Sequence, residues 1–195
     1  FTYGDVKKIK NATAGFAIVS NILFLNEGTR KIIVVVNFAN PNPALAFCNL
    51  NCFTAQYTGS KKWIGAPAPT ITKNLAGTIL FFTIDLTPDH PAVVPYDENI
   101  HASGLGVVMP VLKIYLNQDI PNGIPYTLLC RQTITKLTVA VDANGVKDLM
   151  LSNDNGSVDA SRPFKPFSDF PLYGAGFYIG SKEAFQKNLF LLEIN

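Results

Sequence analysis

Helical periodicity is nearly absent from this chain, and that absence constrains it most. Apolar residues come in short runs rich in β-branched and aromatic side chains, each closed off by Gly, Pro, Asn or Asp. The runs read as strands over residues 15–25, 31–38, 51–57, 78–86, 111–116, 126–141, 147–152 and 189–194. Several alternate apolar with polar residues, as a half-buried strand must. In 132–141, Ile134, Leu137, Val139 and Val141 are apolar, while Thr133, Thr135, Lys136 and Thr138 are polar. The phase slips once near Lys136, which predicts a bulge.

Turn chemistry supports the same reading. Asn144-Gly145 falls between two apolar runs and predicts a tight hairpin. Glu27-Gly28 predicts a second, and Pro121, Asn122-Gly123 and Pro125 predict a turn before Tyr126. Many short strands with frequent turns give an all-β fold: an antiparallel, jelly-roll-like β-sandwich with long proline-rich loops. The 195 residues are enough to bury a sizeable core, so residues 1–195 read as a single β-sandwich domain. The one place to subdivide it is near 87–110, where Pro88, Pro91, Pro95 and Pro110 exclude a central strand. Ser181 followed by residues 182–187 reads as a short capped helix.

Composition narrows the function classes. Only 15% of residues are charged against 48% hydrophobic, which argues against disorder and for a surface partly covered by neighbours. The 16 basic and 14 acidic residues are interspersed, and no basic run exceeds a pair, so nucleic acid is not an expected partner. No apolar run approaches the roughly 20 residues of a membrane-spanning helix. Cys48, Cys52 and Cys130 make no even disulfide set and have no zinc-ligand spacing with His90 or His101, so they read as small hydrophobes. The chain opens on Phe1, which reads as a piece of a longer protein.

No residue set carries recognisable catalysis, metal binding or cofactor binding. A hydrolase triad would have to draw on His90 or His101, both in loop contexts, and no Gly-x-Ser-x-Gly elbow accompanies them. Asp85, Asp89, Asp97 and Glu98 are the carboxylates open to a glycosidase pair, with solvated loop acids the simpler reading. The stretch 153–159 is rich in oxygen donors around Gly156, but it lacks the spacing of a calcium loop and reads as a turn closed by Asx hydrogen bonds. Trp63, after Lys61-Lys62 and near Tyr57, could stack on a sugar, although a lone tryptophan is more often core or interface. A carbohydrate- or surface-binding β-sandwich module built around Trp63 is therefore the alternative expectation.

The most distinctive block lies between Lys147 and Asn195. It contains Asn155-Gly156 and Asp159, then Arg162-Pro163-Phe164-Lys165-Pro166-Phe167, then Pro171, Gly174 and Phe177-Tyr178-Ile179-Gly180 with Glu183. Pro163, Pro166 and Pro171 with Phe164, Phe167 and Phe170 make a stiff, extended, apolar segment. Such a segment lies across a sheet edge or face, or else plugs a core. This block resembles one found in the large baseplate J-like wedge proteins of contractile injection systems, the phage-tail-like particles. Ser168 stands where that pattern has glycine after the second phenylalanine. The resemblance implies a structural, non-enzymatic insertion domain that contacts other baseplate subunits. It further implies assembly in the bacterial cytoplasm as part of a particle that can be released outside the cell. Pro163, Phe164, Pro166, Phe167, Phe177, Tyr178 and Trp63 are the candidate interaction residues.

Overall fold

The computed structural model describes residues 15–41, 53–116, 132–146 and 149–187. These residues form an all-β structure of antiparallel sheets, organised as two units, Phe1–Asn144 and Gly145–Asn195. The division falls at 144/145. Residues 87–110, the expected subdivision point of a single domain, lie inside the first unit.

In the first unit, the sequence of β2 (Thr29–Phe38) sets the frame. Arg30, Ile32, Val34 and Val36 alternate inward, and the intervening side chains are less buried. β2 sits between β6 (Ile79–Leu86) and β8 (Ile134–Asn144), with β5 (Thr70–Lys73) beyond β6. The pairing with β8 shifts register between Asn37 and Phe38, leaving Thr135 as the extra residue. The slip expected near Lys136 is this bulge, and Thr135 Oγ1 donates to Asn37 O at 3.2 Å.

The second sheet of the unit runs β1 (Gly15–Val19), β7 (Val111–Leu116), β3 (Phe53–Thr58), β4 (Trp63–Gly65). Inward residues of both sheets form one core. Phe82 of β6 meets Phe53 of β3 edge-on, ring centroids 5.1 Å apart, and Phe16 of β1 at 6.4 Å. Such pairs add about 0.5–1.5 kcal/mol to simple area burial. Two four-stranded sheets facing across a shared core make this unit a β-sandwich.

Both expected hairpins are replaced by other pairings. β8 continues along β2 through Asn144, opposite Thr29, and does not pair with β9 (Met150–Asn153). Asn144-Gly145 is instead the junction between the units. After β1 the chain makes a 3₁₀ turn (Asn21–Leu23), and Leu25 bridges to Val93 rather than to β2. A local turn signal reports that the chain bends; the core decides which strands then pair.

The second unit holds β10 (Gly156–Val158), β9 and β11 (Phe177–Gly180) in that order. Asp154-Asn155 connects β9 to β10, with Asn153 opposite Gly156. Asn155 N–H donates to Asn153 Oδ1 at 2.9 Å, so the oxygen-rich stretch is the Asx-closed turn expected. Ser181 Oγ accepts from Ala184 N–H at 3.1 Å, as a cap would, but residues 182–186 form a turn and not a helix. Among the described residues no helix is long and apolar enough to cross a membrane. The expected strand 189–194, the first part of 126–141 and all three cysteines fall outside the described residues.

Candidate interaction surface

The loop 87–110 in the first unit contains most of the residues that sequence nominated for chemistry, and it uses them to hold its own shape. A one-turn helix, α1 (Glu98–His101), forms inside it, capped by Asp97, whose carboxylate accepts from Asn99 N–H at 2.9 Å. Glu98 accepts from Tyr96 OH at 2.5 Å and from Gly104 N–H at 2.9 Å. These bonds hold its carboxyl below the usual carboxylate range. His90 Nδ1 accepts from Thr87 N–H at 3.1 Å within the same turn. Asp85 lies on β6 and pairs with Lys31 at 3.8 Å.

His101, read from the sequence as lying in a loop context, is buried. Its Nε2 lies 3.0 Å from Gly59 O, and its Nδ1 lies 3.0 Å from Asp97 N and 2.9 Å from Asp97 O. Its ring stacks on Tyr96 at 5.2 Å and meets Trp63 edge-on at 5.1 Å. Trp63 Nε1 donates to His101 O at 2.8 Å. Lys113 Nζ sits 3.8 Å from the Trp63 ring centroid and donates to Ser103 Oγ at 2.8 Å. Burial pushes the Lys113 ammonium pKa down. Trp63, on β4, is thus already engaged by His101 of the loop through a hydrogen bond and an edge contact, and by the cation of Lys113 on β7.

Tyr57, the second half of the expected sugar platform, is 0% exposed and donates from its OH to Pro91 O at 3.1 Å. Burial raises its pKa, with the nearby Arg30 charge opposing. Tyr57 therefore cannot contribute to an exposed face. Among the described residues no group of three or more His, Cys, Asp or Glu converges as metal ligands.

The second unit presents the opposite picture. Its segment 161–176 leaves β10 and returns at β11. Asp159 turns the chain by accepting from Ser161 N–H at 2.9 Å and from Ser161 Oγ at 2.6 Å, which lowers its pKa. Lys165 pairs with Asp169 across one turn of the segment. The β9–β10 hairpin tethers the segment: Asp154 Oδ2 accepts from Gly176 N–H at 3.1 Å, and Asn153 Nδ2 reaches Lys165 O at 3.5 Å. Two donor residues of the calcium-like stretch are thus engaged in fixing the apolar segment.

Of the candidate interaction residues, the structure brings Phe164 and Phe177 together, rings stacked at 5.7 Å and 30°. Pro163, Pro166, Phe167 and Tyr178 are exposed. Phe170 is 90% exposed, and Leu172 and Tyr173 are also open to solvent. Leu172 and Tyr173 were not singled out from the sequence; only their position between Pro171 and Gly174 marks them. The core-plug alternative does not hold for Phe167 or Phe170. Trp63, in the first unit, belongs to the loop cluster described above.

Ser168 has φ of 70°, a left-handed conformation that L side chains rarely adopt. A glycine would hold this conformation without a Cβ penalty.

Leu151 is the only apolar side chain of the second unit that is buried among the described residues. The described aromatics of 161–176 are thus mostly exposed, and a contiguous apolar surface of this kind is poorly matched to water. No protein-family model and no curated protein matches the chain.

Proposed function

We propose that this chain is a structural, protein-binding β domain of a contractile phage-tail-like particle. It works through contacts with neighbouring baseplate subunits. The observation that carries the reading is the exposed aromatic segment of the second unit, Phe167, Phe170, Leu172 and Tyr173 above all. Apolar side chains held open on a proline-stiffened backbone lose little entropy when a partner covers them. They lie in the block that resembles the baseplate wedge proteins.

The role is mechanical. The exposed apolar segment meets a neighbouring subunit, and the contact resists or transmits rearrangement when the particle fires. The test is affinity purification of the tagged parent protein from its producing cells, viewed by negative-stain electron microscopy. Sheathed, tube-bearing particles should accompany the tag, and a clean deletion of the domain should impair assembly or firing. A monodisperse protein without particles, from cells shown to express it, would overturn the reading. An oligosaccharide array compared with Trp63→Ala would then be the next measurement.

A further inference from the structure

The free edge of the first unit's larger surface strand is complementary to itself. Among the described residues, β8 pairs with β2 and with no other strand, so its outer edge has no strand partner there. The 3₁₀ turn Asn21–Leu23 also approaches β8. Proteins commonly blunt such edges with a bulge or a lysine. Here the bulge at Thr135 lies near one end and leaves 136–144 in regular register with β2.

An antiparallel second copy, placed about a twofold axis at Val139, sets Lys136 against the partner's Asp142. It also sets Leu137 against Val141, Thr138 against Ala140, and Val139 against itself. Residues opposite each other in an antiparallel pair share a face, so the apolar pairs all fall on the core side and the charged pair on the outer side. Only this register matches the charges: a two-residue slip puts Lys136 against Ala140 or Asn144.

Three observations favour a second copy as the occupant. Lys136 and Asp142 are exposed, and among the described residues neither is in an ion pair. Asp142 lies opposite Lys31, which pairs with Asp85, so the partner's Lys136 would extend a row of alternating charge across four strands. Leu137 remains 38% exposed, and Val139 and Val141 are only partly buried against the core, so apolar edge surface awaits cover.

We propose that β8 is a self-pairing edge through which two copies of this chain join their sheets. This goes beyond the particle reading and does not depend on it. The test is sedimentation of the 195-residue chain up to roughly 1 mM, with circular dichroism to confirm the fold of each variant. The wild type should approach twice its 21.2 kDa mass. Lys136→Glu and Asp142→Lys should each remain monomeric alone, because each sets like charges opposite one another. An equimolar mixture of the two variants should restore the dimer, because every charged pair is then opposite in sign. A wild type monomeric throughout, single variants that dimerise as well as wild type, or a mixture that stays monomeric would each overturn the proposal.

Discussion

The chain has two proline-rich segments, and they end in opposite states. Residues 87–110 in the first unit carry Pro88, Pro91, Pro95 and Pro110; residues 161–176 in the second carry Pro163, Pro166 and Pro171. The first is gripped from below. The buried Arg30 side chain donates to Gly28 O at 2.9 Å and reaches into the loop at Thr87 O (2.9 Å), His90 O (2.7 Å) and Pro91 O (3.2 Å). Tyr57 holds the same Pro91 carbonyl. Thr58 Oγ1 donates to Val94 O at 2.5 Å and accepts from Val111 N–H at 3.1 Å. The second segment has a few tethers at its ends and leaves its aromatics outside. Proline stiffens both; what separates the gripped loop from the exposed segment is whether distant strands supply side chains to satisfy its carbonyls.

The comparison breaks most visibly at Arg30. Arg30→Met keeps the apolar stem but strips the loop carbonyls of a charged donor inside the protein. It should cost about 3 kcal/mol or more in urea unfolding. A loss under about 1 kcal/mol would show that the loop does not depend on this grip.

Tyr57→Phe is milder, about 1 kcal/mol near neutral pH for one buried hydrogen bond. It also has a pH signature. The folded pKa of Tyr57 is raised by burial, so its contribution is whole below the unfolded value of about 10 and is lost as pH rises through the raised folded value. The gap between wild type and Tyr57→Phe should therefore narrow above about pH 10. Tyr115, also raised, and Lys113, lowered and so sloping the other way, are common to both proteins and cancel. A gap that stays constant across that range would contradict the burial of Tyr57.

Smaller still is Ser168→Gly. Relief of the left-handed strain, partly offset by glycine's greater chain entropy, should stabilise the second unit by about 0.5–1 kcal/mol. Amide signals of β9 and β11 in a denaturant titration report it, and a destabilisation would refute the backbone account of this position. The smallest effect belongs to the exposed pair: Phe170→Ser with Tyr173→Ser should leave folding stability within about 0.5 kcal/mol of wild type.

Within the described residues the longer apolar runs gave strands, although the run 15–25 is strand only to Val19 before the 3₁₀ turn. The apolar run of β2 and the slip in β8 were both readable, whereas the inward–outward alternation of β2 lies in its burial and not in its residue types. β4, β5, β10 and β11 were not foreseen: each is three or four residues long, and none lies in a longer run like 147–152, which marked the equally short β9. The grip on 87–110 was hidden for a different reason. Arg30 and its carbonyl partners in that loop are separated by 57 to 61 residues, and no local pattern marks an arginine destined for burial. His101 looked like a loop residue for the same reason: its Nε2 partner, Gly59, is 42 residues away. The aromatic segment was legible as stiff and apolar, since proline and phenylalanine spacing shows that directly. Whether it faced in or out depended on how much interior the second unit could offer, which a residue pattern does not measure.

The most direct test of the account introduces Phe170→Ser and Tyr173→Ser together into the parent protein and counts assembled particles by negative-stain electron microscopy. The account predicts a parent protein made at the normal level with its domain folded, and few or no complete sheathed particles. Particles as numerous and as active as wild type would contradict the claim that this segment is a contact surface.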